Sequence, residues 1–368
     1  MENADMKNAD MDNTQDKSEE TPEEQIDGTI RNLLVTYVTE MDMHRANSGR
    51  NRLGNASAIK QRPDGKVYIS GQMQRHAFFE SLRRQDERDD QDEKDGTYVS
   101  PGDGTTYHVE KDLRADLGGF FHPEIFAAQA KRRTSPMSAT AAVAQEESNT
   151  VQDLLLRLSG ESSGDNNIAT MQTSQSDRMV GSFSLDLTAL TISRAFEYGE
   201  IFDGEDRGVR VGEREIPHRN EAERRRRARL FLEAIQHLGD YASQARNMVS
   251  GSPDTVLISV DTRVNRKPAK YFKGGNEAQQ EDPQQEAICR EVKSRGGRTF
   301  LGSDGGEGQT VQEAFEAAKQ TIQDGDFYHP ALDEEDREAV GFDADDSDLD
   351  FPRYEDVFEI EQREDDDE

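Results

Sequence analysis

Tryptophan is absent from this 368-residue sequence, cysteine occurs once, and lysine is scarce, at 12 residues against 33 arginines. A lone thiol, Cys289, rules out an internal disulfide and any cysteine-rich metal site, and it fits a reducing cytosol. No apolar run approaches membrane-spanning length, and the N-terminus is acidic rather than leader-like. The expected location is the cytoplasm, with no membrane partner. HExxH, paired CxxC and EF-hand spacings are missing, and no Walker lysine follows the Gly-rich "GSDGGEG" at 302–308. The seven histidines (44, 76, 108, 122, 218, 237, 329) are dispersed. No metal or cofactor is expected, and catalysis finds little support.

What the chain has in excess is acid. The formal charge is −31, with −8 on residues 1–27 and −16 on 331–368. The middle carries only −7 and holds 40 of the 45 basic residues. Mean hydropathy is −0.95. At 32% hydrophobic residues, part of the chain cannot be packed. The expected organisation is a disordered acidic tail over 1–27, a folded domain over 28–330 and a second acidic tail over 331–368. Abundant acid with little lysine favours a salt-loving source, where surface carboxylates keep proteins soluble. An ordinary protein with acidic tails is the alternative.

Within the domain, "TIRNLLVTYVTEM" (29–41) is rich in β-branched residues and reads as a buried strand. "DMHRANSGRNRLGN" (42–55) reads as a polar loop, "PDG" (63–65) as a turn, and 67–69 as a short strand. A helix is predicted over 71–84, with Ser70 as N-cap and Met73, Ala77, Phe78 and Leu82 at helical spacing. Residues 85–116 contain "QDERDDQDEKDG", a solvated loop, and 117–180 lack a sustained period. Residues 180–196 alternate as a strand. A helix starts near Glu221 and continues through Phe231, Ile235, Leu238, Ala242, Ala245 and Val249 until Gly251 and Pro253 stop it. "TVLISVDT" (255–262) is a central strand. This order predicts an α+β fold: a ferredoxin-like (RRM-like) core enlarged by insertions at about 85–180.

Anion-binding chemistry concentrates near the first helix. Free N–H groups at a helix start favour an anion, and the Gly71 backbone allows close approach. Gln72 and Arg75 add side-chain donors. The preceding loop offers His44, Arg45, Asn47, Arg50, Asn51 and Arg52, which suit a sugar-phosphate backbone. The alternative for both features is a simple cap beside a solvated loop. "ERRRRARLF" (223–231) reads equally as a nucleic-acid patch or as a helix turn paired with neighbouring acids. "RVNRKPAKYFK" (263–273), which includes Lys270, would grip RNA or contact a partner's acidic surface.

The stretch "NSGRNRLGNASAIKQRPDGKVYISGQMQRHAF" after the first strand resembles the DevR-type CRISPR-associated backbone subunit of Cascade, the Cas-seven family of type I-B systems. "KRRTSPMSATAAVAQEE", "FSLDLTAL" and "LGDYASQARNMVSGSPDTVLISV" follow in the same order, and the resemblance covers about 28–270. A haloarchaeal source would suit it. The resemblance implies an RRM-like core whose copies line one CRISPR RNA and present it to target DNA beside other Cascade subunits, in antiviral defence and without catalysis. A thumb-like hairpin within 150–180 would reach the next segment, with Arg178 and Met179 at its base. Carried over by position, Asn47, Arg50, Arg52, Ser70, Gly71, Gln72 and Arg75 become RNA contacts. Gln244, Arg246 and Asn247 follow in "SQARN". The acidic tails and "RRQDERDDQDEKD" depart from the family. Two other readings stand beside this one. The first is a repeat-RNA-processing endoribonuclease using His44 or His76 as base, or Asp42 with a metal. The second is a partner-binding regulator.

Overall fold

Thirteen consecutive residues, Asn32–His44, form the strand on which the fold is built. In the computed structural model the elements run β1 (Asn32–His44), β2 (Ser48–Arg50), β3 (Ser57–Ile59), β4 (Tyr68–Ile69), α1 (Gly71–Gln85), α2 (Leu113–Gly118), β5 (Phe120–Phe121), β6 (Arg132–Arg133), β7 (Met137–Ala139) and β8 (Ala142–Ala144). They continue with β9 (Thr150–Arg157), β10 (Ile168–Asp186), β11 (Ile192–Asp203), β12 (Asp206–Pro217), α3 (Glu221–Gln236), β13 (Thr255–Asp261), a 3-10 turn (Lys267–Lys270), α4 (Pro283–Lys293), β14 (Arg298–Ser303), α5 (Val311–Asp324) and α6 (Tyr354–Val357). The structure describes residues 26–45, 48–50, 57–86, 96–102, 106–122, 132–148, 150–157, 168–203, 206–241, 248–273, 283–306, 308–329 and 351–358.

The main sheet runs β14-β13-β1-β10-β8-β4, with β7 and β9 also on β10. Every pairing within it is antiparallel. The fold is therefore a mixed α+β structure on an antiparallel sheet. Strand alternation gives β1 two different faces. Leu33, Val35, Tyr37 and Met41 enter one core with Phe78 of α1, Phe183 of β10, Phe231 of α3 and Phe315 of α5. On the other face Ser182 Oγ donates to Thr36 Oγ1 at 3.0 Å, and Ser184 Oγ donates to Asn32 Oδ1 at 3.1 Å. Near β13 that second face is covered by Tyr271 and by Ile288 of α4, which pack on Leu257. Gly181 has to be glycine, because a Cβ there would lie 2.7 Å from the Tyr37 ring.

Several sequence expectations are corrected here. The helix from Glu221 stops at Gln236, not near Val249. Tyr241 and Val249 are still buried in the core, but as irregular chain, and Gly251 N bonds to Leu238 O at 2.9 Å. The turn packs so tightly that a Cβ on Gly251 would lie 2.2 Å from Tyr241. Residues 192–196, read as the end of a strand, and 197–217, given no element, form a twelve-pair hairpin that closes at Asp203↔Asp206. The signal was there: "DGED" separates two runs with alternating apolar residues. Residues 351–358, assigned to the acidic tail, pack into the fold instead. Tyr354 is buried against Val109, Ala115 and Phe120. The Gly-rich 302–308 segment leads from β14 into the Thr310–Glu313 capping box of α5.

Candidate nucleic-acid interface

The far end of β1 carries the first part of the site. Its ladder with β10 breaks in a bulge between Met41 and His44, and Met43 takes a left-handed φ of 47°. The Ser176 hydroxyl accepts from Met43 N at 3.1 Å and donates to Asp42, which locks the bulge onto β10. His44 is fully buried, with Nε2 3.3 Å from Gln175 Nε2 and 3.5 Å from Asp177 Oδ2. Sealed in this way, His44 presents no ring nitrogen to solvent.

The chain then folds back as β2 and β3, with Arg50↔Ser57 closing the hairpin, so the expected polar loop is a small ladder. β3 packs beside β10. Arg50 lies at the end of β2, while Asn47 and Arg52 lie outside the described residues. β10 itself is 19 residues long. Its second half pairs with β1, β7 and β8, and Ile168–Gln175 pairs with Thr150–Arg157 of β9. At about 3.3 Å per residue, β10 spans on the order of 60 Å. An antiparallel pairing of β9 with β10 lies within 150–180, where a thumb-like hairpin is expected, and β3 packs beside β10.

The start of α1 forms the second part. Ser70 Oγ accepts from Met73 N at 3.3 Å, as a cap should. Gly71 is held near the β7–β8 turn, where a Cβ would meet Ala139 O at 3.2 Å. Close backbone packing thus already favours glycine at this position. Gln72 and His76 are exposed, one turn apart. Arg75 is half-buried: its Nη1 donates to Ser135 Oγ and Met137 O, both at 3.0 Å, and its Nη2 donates to Gly118 O at 2.7 Å. All three acceptors are neutral. Burial, then the neighbouring Arg114 cation, holds the Arg75 guanidinium below its ordinary pKa.

Other expected contacts are placed unevenly. Arg178 is exposed on β10, with Nε 3.4 Å from Glu40 across the ladder. Met179 points the other way and is fully buried in the core, so its expected RNA contact is not open to it. Lys270 is exposed at the end of the 3-10 turn. Gln244, Arg246 and Asn247 lie outside the described residues. The arginine run is structural. Arg224 and Arg227 are buried on α3, Arg227 bonds Asp116, Glu223 and two carbonyls, and Arg226 bonds Glu223, Asp86 and Thr97. Burial pushes Arg224 down to about 10. Burial also opposes charge on Arg227, but Glu223 and Asp116 outweigh it and hold that group above its ordinary value. Of the run, Arg229 is exposed.

No protein-family model matches the chain, and no curated protein does. Among solved structures it is similar to a chain of a "CRISPR RNA-guided surveillance complex", at 11% identity over 78% of this chain and 98% of that one, with a TM-score of 0.48. It is also similar to a chain of a "CRISPR RNA-guided surveillance complex, pre-nicking", at 11% identity over 79% and 99%, with a TM-score of 0.46. No described helix is long and apolar enough to cross a membrane.

Proposed function

We propose that this chain is a non-catalytic CRISPR RNA-binding backbone subunit of a type I-B, DevR-type Cascade complex, acting in the cytoplasm. Copies line one guide RNA and hold it open for pairing with target DNA beside other Cascade subunits. The observation that carries the reading is the continuity of β10, whose inner half belongs to the sheet and whose outer half extends as a hairpin beside the basic turn after β1. That turn, the hairpin root and the start of α1 are the places where the sequence resemblance puts the RNA backbone. The sheet order supports a ferredoxin-like core. With β8 as second strand and β10 as third, β13-β1-β10-β8 reads fourth, first, third, second, with α1 and α3 packed on one face.

The test is to purify the protein from its own cells, sequence the RNA that comes with it, and incubate the RNA-free protein with labelled repeat RNA. A defined population of guide-length RNA with repeat-derived ends, and repeat RNA that is bound but uncut, is the expected result. Random cellular RNA, or a discrete cleavage product, would overturn the reading.

A further inference from the structure

α1, α2 and β5 border an open cavity of about 430 Å³, within the roughly 300–1,000 Å³ usual for small-molecule sites. Gln72, Arg75 and His76 line it from α1 and Arg114 from α2. Strand alternation turns Phe120 into the packing around Tyr354 and leaves Phe121 outward, 66% exposed. One wall is the Phe79 ring, with the Arg114 guanidinium 4.5 Å and the Arg75 guanidinium 5.8 Å from its centroid. Gly118 keeps this wall open, since a Cβ there would lie 2.9 Å from Phe79 Cζ and 3.3 Å from Arg75 Nη2.

Charge in the cavity is poorly matched at Arg75. A guanidinium has five N–H donors. Arg75 gives three to neutral acceptors, so the Nε–H and one Nη2–H have no acceptor among the described residues. The nearby acids are committed elsewhere. Asp112 accepts from Thr106, Ser100 N and Arg114 N. Glu80 pairs with Arg83 at 2.7 Å and lies 3.7 Å from Arg114. A half-buried cation beside a second cation, with no carboxylate bonded to it, is stabilised by an incoming anion. An exposed ring at the same opening offers a flat face to a base.

We propose that this cavity takes a single nucleotide, with its phosphate on the two open N–H groups of Arg75 and its base on the Phe121 ring. The proposal rests on the RNA-binding reading insofar as the nucleotide belongs to the bound strand. The first turn of α1 lies at once beside the expected phosphate track and on the cavity wall. A free mononucleotide presents the same chemistry, so the experiment has two arms.

In the first arm, full-length protein carrying its RNA is irradiated and crosslinked peptides are identified, for wild type, Phe121→Ala and Phe121→Tyr. Crosslinks to the peptide containing Phe121 should fall about tenfold in the alanine variant and persist in the tyrosine variant, the scale of one lost base stack. Crosslink yield is read per RNA bound, so that a loss of RNA as a whole is not counted as loss of the stack. In the second arm, RNA-stripped protein is titrated with AMP and with adenosine. AMP should bind at least about tenfold tighter, as a charge-assisted contact to phosphate requires, and Phe121→Ala should weaken both. RNA-bound wild type with no crosslink at Phe121, together with no Phe121-dependent AMP binding, overturns the proposal. Equal affinity for AMP and adenosine overturns the phosphate assignment. A chain that carries no RNA but binds AMP through Phe121 would refute the guide-RNA reading and leave the nucleotide site standing.

Discussion

Arg227 Nη1 lies 2.7 Å from Asp116 Oδ2, and neither side chain has any contact with solvent. The other Asp116 oxygen takes Arg133 at 2.7 Å and the backbone N–H of Thr191 at 2.9 Å. Through this one carboxylate, α2, the β6 strand, the start of β11 and α3 are tied together. The arginine run is thus a clamp around an insertion and leaves little of itself for nucleic acid.

Removing one partner from a buried pair leaves a charge stranded. Asp116→Asn and Arg227→Met should each lower unfolding free energy by about 3–5 kcal/mol. Arg229→Ala, on the exposed side of the same helix, should change it by no more than about 0.5 kcal/mol. Urea unfolding of the three variants checks this. Equal, small effects for all three would mean that the clamp carries no stability.

Acid should loosen the docked C-terminal segment. His218 is fully buried, with Nδ1 2.7 Å from Pro352 O and Nε2 2.7 Å from Ser193 Oγ. A carbonyl can only accept, so Nδ1 carries the proton and Nε2 accepts from the serine hydroxyl. Burial, with a further contribution from Arg133 against the opposing pull of Glu110, Asp116 and the Pro352 carbonyl, pushes its pKa down to about 4. The folded value is below the unfolded one, so the unfolded chain binds the proton first. Stability is full above about pH 6.5 and is lost as pH falls toward 4, by on the order of 3 kcal/mol. Unfolding midpoints at pH 7 and 4.5 should diverge for wild type and converge for His218→Asn. Glu221, pushed down to about 2 by His329 and Arg225, contributes only at lower pH and does so in both proteins.

The same segment makes the two tails unequal. Removing residues 1–25 or 359–368 should leave the melting temperature unchanged. Tyr354→Ala should cost about 3 kcal/mol, the low end for truncating a large buried aromatic, because Phe120 and Val109 lose their cover. Thermal melts of the truncations and the point variant decide this. A harmless Tyr354→Ala would return 351–358 to the solvated tail.

Strong local patterns were legible in the sequence. The Val- and Leu-rich run of β1, the Ser70 cap with the apolar stripe of α1, and β13 all fall where periodicity places them. Patterns whose meaning depends on distant partners were not. Leu238, Ala242, Ala245 and Val249 keep a helical spacing, but residues 237–241 leave the helix, with Asp240 paired to Arg84 at 2.5 Å and Tyr241 packed against Gly251. Nothing within "ERRRRARLF" says that Asp116, more than a hundred residues earlier, will pair with Arg227 in the interior. Met179 and Arg178 are neighbours in sequence, yet strand alternation sends one to the core and the other to solvent.

That alternation separates binding from folding. Arg178→Ala should reduce retained RNA while stability holds, since its exposed pair with Glu40 contributes little. Met179→Ala should cost about 2–5 kcal/mol in unfolding free energy and affect RNA only where the protein unfolds. RNA retention measured beside urea unfolding distinguishes them. If Met179→Ala alone released RNA at unchanged stability, the core assignment of this side chain would be wrong.

The account stands or falls on the β9–β10 hairpin. If each copy encloses the RNA of its neighbour, the grip comes from many simultaneous contacts and not from net positive charge, which this chain lacks. An open cationic surface would release RNA steeply as salt rises. The direct measurement is RNA retained against potassium chloride concentration, for the intact protein and for one in which 153–172 is replaced by a short Gly-Ser linker that leaves the hairpin root in place. The intact protein should hold its RNA to about 1 M salt with a shallow slope, and the trimmed one should release it at far lower salt. Release of RNA by both at the same low salt would contradict the account.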